Sequence, residues 1–423
     1  MTKTLFTKKG TNKLTRKSIR TFYSLLPGIT IVTGTAVGAG MFSLPIISSG
    51  MWFEWSILLL ICTWFCMFHS SLFIMEANLN YVPGSSFDTF VGDLLGPRWN
   101  LLNNISLCFI LYILTYAYIS GGGSIVAHTI KETFGFNVPI MLSGMLFSFG
   151  LAFCVWYGTA FVGRLSTILV AGMFISFLLS VQGFVLHIEI ETIFSSKPEY
   201  LIYTLAAIPY FMTSFGYHGC VPSLIKHYSS NVRMVKSCLL FGSIVVLSFY
   251  LIWLVSTLGN IPREEFSEIN ASGGNIGDLV NSLRSKTDAK FLGNTLAIFA
   301  NMAVISSFLG VTLGLFDFIA DKFNFLDNSF GRFKTAIITF LPPTLGELFF
   351  PNGFIYAIGL AGMFACIFGS IVPALAAKHS RLKYGSPKYQ VWGGNSLITV
   401  IICYGTLQLV CYVGATFNFL PKF

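Results

Sequence analysis

Two stretches of this chain interrupt long apolar runs with glycine and small polar residues. They read Thr33-Gly34-Thr35-Ala36-Val37-Gly38-Ala39-Gly40-Met41-Phe42 and Thr213-Ser214-Phe215-Gly216-Tyr217-His218-Gly219-Cys220-Val221-Pro222. A helix weakened at these points frees backbone N–H and C=O groups, and in hydrocarbon each is costly unless protein, ligand or water takes it up. Such breaks are expected where they line a cavity. A half-helix starting near Gly40 presents unpaired N–H groups and a partial positive charge, suited to a carboxylate. Half-helices ending before Gly34 and Phe215 present carbonyls, suited to an ammonium or a cation. A zwitterionic α-amino acid matches both. Taken singly, each glycine also serves close helix packing, as Gly34 and Gly38, four apart, would.

Side chains around the breaks add titratable chemistry. His218 lies within the second break, where an imidazole can relay a coupling proton or touch a substrate, or simply bond a freed carbonyl. Glu76, in Met75-Glu-Ala-Asn-Leu-Asn80, is the second candidate for proton coupling. Its competing role is a tether to a helix terminus or to Arg164. Tyr112 and Tyr116 are four apart and share a helix face, while Tyr118 points elsewhere. Of these, Tyr116 is the candidate for substrate contact, and Phe215 and Tyr217 flank the second break. Glu347 and Asp317 read as structural.

No enzyme signature occurs: there is no Gly-x-Ser-x-Gly, His-Glu-x-x-His or Walker A sequence, and Gly38-Ala-Gly40 lacks the third glycine of a dinucleotide fingerprint. The nine cysteines are scattered through apolar stretches without zinc-ligand spacing and read as small buried hydrophobes. No cofactor and no metal site is expected. Without a nucleotide-binding domain, uphill transport must draw on an ion gradient.

The elements that position these residues are membrane spans. Of 423 residues, 54% are hydrophobic and only 10% charged, against about a quarter charged in a soluble domain. A soluble enzyme, a disordered chain and a secreted disulfide scaffold are excluded. At about 20 apolar residues per span, eleven helices are expected, at 22–47, 52–79, 101–127, 138–156, 163–186, 200–225, 236–259, 291–319, 335–350, 354–377 and 396–419. The ninth is short and holds Pro342-Pro343. Residues 1–21 form a basic tail, which can imitate a signal peptide, but the apolar run continues to Ile46 without a cleavage-like end. With that tail cytoplasmic, 19 of the 26 Lys and Arg face the cytoplasm, which places the N-terminus inside and the C-terminus outside. The net charge of +9 therefore sets orientation, and a nucleic-acid partner is not expected. Segment 260–290 reads equally as a helical external cap or a solvated loop.

The breaks fall in the first and sixth spans. Five spans is an odd number, so two five-helix halves, 22–186 and 200–377, would lie inverted across the membrane, with 396–419 as an additional helix. Matched breaks in an inverted repeat point to a transporter's binding site. A channel would need rings of charged side chains lining a pore, which the spans lack.

Gly34-Thr-Ala-Val-Gly-Ala-Gly-Met41, Phe215-Gly-Tyr-His-Gly-Cys-Val-Pro-Ser-Leu224, Tyr112-Ile-Leu-Thr-Tyr-Ala-Tyr118 and Ser306-Ser-Phe-Leu-Gly-Val-Thr-Leu-Gly-Leu-Phe-Asp317 resemble the hydroxy and aromatic amino acid permeases, most closely their bacterial tyrosine/tryptophan branch. That family lies in the amino acid–polyamine–organocation superfamily. The resemblance implies an all-α membrane protein with the five-plus-five fold of the bacterial leucine transporter, importing tyrosine or tryptophan with a proton across a bacterial inner membrane. A serine/threonine permease of the same fold is the alternative. It also implies that Ala36, Val37, Gly38, Ala39 and Gly40, with Phe215, Gly216, Tyr217 and His218, frame the substrate. Gly34, Val37, Ser306 and Ser307 match a place where sodium-coupled relatives bind sodium, which keeps sodium as the alternative coupling ion.

Overall fold

The computed structural model describes residues 24–423 except 187, 189, 288, 386 and 387; the basic tail lies outside the described residues. Among these the chain is helical throughout, with no strand. Helix α1 spans Ser24–Ala36. A 3₁₀ turn, Ala39–Phe42, leads into α2 (Ser43–Asn78), followed by α3 (Phe87–Leu95), α4 (Pro97–Phe134), α5 (Ile140–Tyr157), α6 (Thr159–Val185) and α7 (Ile190–Ile193). The second half runs α8 (Thr204–Ser214), α9 (Val221–His227), α10 (Val232–Leu258), α11 (Arg263–Ala271), α12 (Ile276–Ser285), α13 (Lys290–Lys322), α14 (Ser329–Phe349), α15 (Phe354–Cys366), α16 (Val372–Tyr384) and α17 (Gly394–Thr416).

Among the described residues, eight helical stretches are long and apolar enough to cross a membrane. Three expected spans are not separate members of that set, for physical reasons. The first is divided by its glycine break, and its second half joins α2. The sixth is divided into α8 and α9. The ninth is α14, which carries Pro342, Pro343 and Glu347 inside its helix.

The junction within α2 is a corner at Trp52, whose φ of 64° and ψ of −168° break the helical path. A bulky residue at positive φ is strained by about 1–3 kcal/mol, so its surroundings must hold it there. Arg263 donates to the carbonyls of Ser49 (3.0 Å) and Gly50 (3.1 Å), just before the corner. Its guanidinium is itself sandwiched between the rings of Tyr200 and Phe423, 4.1 and 3.8 Å from their centroids.

Glu76, at the other end of α2, is fully buried and paired with Arg381 of α16 through oxygens 2.5 and 2.9 Å from the guanidinium nitrogens. The Val391 N–H adds a third bond at 2.7 Å. Glu76 thus joins helix ends, and its partner is Arg381 rather than Arg164.

Segment 260–290 forms two helices, α11 packed on α2 and α12 seated on α4. The Gly277 N–H donates to Ser124 Oγ (3.0 Å), and His128 Nε2 lies 3.1 Å from Asp278 Oδ1. Ser272 Oγ donates to the other Asp278 oxygen at 2.7 Å, and Arg284 pairs with Glu132. Partial burial pushes the Asp278 carboxyl up, but the bonds from His128 and Ser272 outweigh it and hold the group below the usual carboxylate range.

A depressed carboxyl contributes stability above its unfolded pKa, about 4, and that stability is lost as pH falls through the lower folded value. Amide protection at Gly277, corrected for intrinsic exchange, is therefore expected to drop on acidification below about pH 4. Asp278→Asn should show the weakened protection at neutral pH and no further acid-dependent step.

Candidate functional site

The first break begins later than expected. Helix α1 continues to Ala36, and the Val37 N–H still reaches the Thr33 carbonyl at 2.8 Å. Gly38 is extended (φ −170°), and the chain then turns, Met41 N–H donating to the Gly38 carbonyl at 3.1 Å. Ala39 N–H leaves its own helix and donates to Ser307 Oγ of α13 at 2.9 Å. That hydroxyl in turn donates to the Ala303 carbonyl at 2.8 Å. A Cβ on residue 38 would overlap the Ser307 hydroxyl, so glycine is required by close approach.

The second break separates α8 from α9. Phe215 N–H donates to Met212 (3.0 Å), Tyr217 N–H to Phe215 (2.9 Å) and Cys220 N–H to Tyr217 (3.1 Å). Gly216 N–H is in none of these bonds, and a Cβ there would lie 3.1 Å from the Thr213 carbonyl. The two breaks are tied through Tyr250 of α10. Its hydroxyl oxygen lies 2.8 Å from the carbonyl of Ala36 and 2.5 Å from that of Ser214, the last residues of α1 and α8.

Between the breaks is a cavity of about 430 Å³, within the range that holds a small ligand, about 300–1,000 Å³. Gly34, Ala36, Gly38 and Gly40 line it from the first break, and Gly216 and His218 from the second. Ser306 and Ser307 of α13, Tyr118 of α4, Ser166 of α6 and Thr35, Thr213 and Ser214 beside the breaks add hydroxyls, while Met67, Leu111, Met212 and Phe368 belong to the apolar wall. No carboxylate, lysine or arginine is among the lining residues. The ionic ends of a ligand must therefore meet backbone groups, hydroxyls and one imidazole.

His218 is the lining side chain able to change charge near neutral pH. It is 1% exposed and stacks on Tyr217, ring centroids 5.2 Å apart. The carbonyls of Met67 and Phe215 face its ring, yet neither ring nitrogen has a partner in hydrogen-bond geometry.

Ala36, Gly38, Gly40, Gly216, His218, Gly34, Ser306 and Ser307 thus come together as a group. Val37 and Ala39 are buried beside the cavity without lining it. Phe215 turns away onto Tyr250, centroids 5.2 Å apart, and Tyr217 is fully buried behind His218. Tyr112 and Tyr116 do share a face, but it faces α14: their hydroxyls donate to the carbonyls of Ile338 (2.9 Å) and Phe350 (2.6 Å). Tyr118 is the span-three tyrosine that lines the cavity, and Glu76 does not line it. Spacing identified the shared face correctly and left its direction open, because α4 has helices on several sides. Tyr250 has no motif around it, and its only signal is a lone hydroxyl in an apolar run.

Residues 21–412 match the tryptophan/tyrosine permease family. The chain belongs to that family. The permease is 50% identical over 403 residues to a tryptophan-specific transport protein of Pseudomonas aeruginosa, covering 95% of this chain and 97% of the relative. It is 41% identical over 407 residues to a low affinity tryptophan permease of Escherichia coli, covering 95% and 98%. It is also 38% identical over 411 residues to a tyrosine permease of Enterobacter agglomerans, covering 96% and 99%. These relatives are transport proteins rather than enzymes, and with several membrane-crossing helices the permease is a multi-pass protein of a bacterial inner membrane.

The contact between Gly38 and Ser307 gives a direct test of the site. Gly38→Ala is expected to impose about 1–3 kcal/mol of overpacking and to cut uptake of labelled amino acid roughly tenfold or more at equal membrane levels. Adding Ser307→Ala removes the overlap and should restore part of the loss. Wild-type uptake by Gly38→Ala, or no coupling between the two changes, would contradict the geometry.

Proposed function

We propose that this permease is a secondary transporter that imports an aromatic amino acid, tryptophan in the first place, together with a proton. The observation that carries the reading is the uncharged cavity between two broken helices. Free backbone groups and hydroxyls there can take a substrate's carboxylate and ammonium, and an apolar wall can take its ring. Tryptophan is favoured over tyrosine because the relatives at 50%, 49% and 44% identity are tryptophan-specific transport proteins, whereas the tyrosine permease stands at 38%.

The arrangement behind it is eleven passes with a five-plus-five inverted repeat of the leucine-transporter type. The helix order, with breaks in the first and sixth spans, supports this. If the N-terminus is cytoplasmic and the C-terminus periplasmic, the lining residues Leu107, Leu111, Val170 and Gly310 lie toward the cytoplasmic half, which supports an extension of the cavity to that side. The α11–α12 pair covers the opposite side, so the conformation corresponds to the inward-facing member of an alternating-access pair.

Proton coupling is favoured over sodium by the site's chemistry. The lining contains an imidazole able to take up a proton and no carboxylate to balance a bound sodium ion. In this reading His218 accepts a proton at the cavity and so links substrate affinity to pH.

Purified protein in liposomes, with pH and sodium gradients imposed separately, tests the proposal. Labelled tryptophan is expected to accumulate under an inward proton gradient alone, with unlabelled tryptophan the strongest competitor. His218→Gln should bind tryptophan with an affinity that no longer varies between pH 5 and 8, the window in which histidine ordinarily titrates. Sodium-driven accumulation, or unchanged pH dependence in His218→Gln, would overturn the corresponding step.

A further inference from the structure

Glu347 is an ionisable group that the cavity does not use. Its side chain is fully buried (0% exposed), and neither carboxyl oxygen has a hydrogen-bond partner. Helix α14 packs on α4, α5 and α13, and none of them brings a cation to it. From α4, Ser120 faces the carboxyl with an equally unpartnered hydroxyl, and Tyr116 is the ionisable neighbour, its own hydroxyl committed to Phe350.

From α5, Gly144 lies against the Glu347 stem, and Ser143 beside it is buried and unpartnered. That helix carries no charged side chain. The ionisable groups of α13 lie toward its ends at Lys290, Asp317, Asp321 and Lys322, and Asp317 faces Arg332. On α14 itself, Arg332 and Lys334 are far down the helix, about 20 Å away at 1.5 Å per residue. On α4, His128 and Glu132 are occupied by Asp278 and Arg284 of the cap.

A carboxylate enclosed in this way, with no cation and no committed donor, is far more costly than a neutral acid. The enclosure therefore favours the neutral acid, with the Ser120 hydroxyl beside it. We propose that Glu347 is a proton-binding site of the transporter, loaded in the conformation seen here, and that gaining or losing this proton biases how α14 packs on α4 and α5. The inference rests on the proton-symport reading and adds a second site to it. Helix α4 connects the two, since Tyr118 lines the cavity while Tyr116 and Ser120 face Glu347. A proton biases the two conformations only to the extent that they bind it differently, and separating α14 from α4 and α5 would admit water and allow ionisation.

Infrared difference spectroscopy of the purified protein in nanodiscs, between neutral and alkaline pH, tests protonation directly. Wild type is expected to show a protonated-carboxyl C=O band that Glu347→Gln lacks. In liposomes, Glu347→Gln, a permanent neutral mimic, should retain exchange of internal for external labelled tryptophan. Accumulation driven by a proton gradient should fall about tenfold or more, within the usual 5–150-fold range of coupling.

If Glu347→Gln does not insert, Glu347→Asp keeps a titratable group and should shift the band. Absence of the band from wild type, or wild-type accumulation by Glu347→Gln, would overturn the inference. Failure of wild type to accumulate tryptophan under a pH gradient would instead remove the symport reading, and the infrared band would still decide whether Glu347 holds a proton.

Discussion

Hydroxyl groups hold the two halves of the site together, Tyr250 foremost, with Ser214 Oγ 3.4 Å from the Gly40 carbonyl. Tyr250 places its oxygen within bonding distance of the final carbonyls of α1 and α8, two helix C-termini that carry partial negative charge and repel one another at close range. One O–H supplies one proton, so at any instant it satisfies one carbonyl and leaves the other with acceptor capacity. The hydroxyl therefore fixes the separation of the breaks while leaving the pair able to take a further donor, such as a substrate ammonium. One turn along α10, Trp253 meets Phe42 and Phe299 at centroid distances of 5.5 and 5.7 Å. Those apolar contacts keep the polar tie from shifting.

The charges of the described chain are arranged around this neutral centre. Glu76 with Arg381 and Asp93 with Lys383 pair at one end of the helices, and Asp278, Arg284 and Lys286 engage partners at the cap. The cavity offers main-chain polarity instead of charged side chains, and N–H and C=O groups held by the fold need no counter-ion. Such groups bind oppositely charged ends of a small molecule without the desolvation penalty of burying full charges. They also need the breaks to stay open, which explains why the side chains nearest them are small and why Gly38 tolerates no Cβ beside Ser307.

Much of this was legible in the sequence, because its causes are local. Glycines inside apolar runs located both breaks, and hydrophobic length located the helices around them. What stayed hidden depends on direction and partnership. The joining of the first and second spans at Trp52 is held by Arg263, more than two hundred residues away, and no local pattern marks it. Four-residue spacing points to Tyr116 rather than Tyr118, because it reveals a shared face but not which neighbour that face meets. Phe215 and Tyr217 flank the break yet pack into the core away from the cavity, since a broken helix rotates its side chains by an amount the residue types do not encode. Glu347 reads as peripheral in a short proline-containing helix, and only the packing of α4 and α5 encloses it.

In the proposed site, backbone groups of the two breaks receive both charges of the substrate. Equilibrium binding of tryptophan, tryptamine and indole-3-propionate to the purified permease tests it most directly, since the analogues lack the carboxylate and the ammonium respectively. Each missing charge-assisted hydrogen bond should cost about 1.5–3 kcal/mol, so both analogues are expected to bind roughly tenfold or more weakly than tryptophan. Equal affinity for either one would contradict the account.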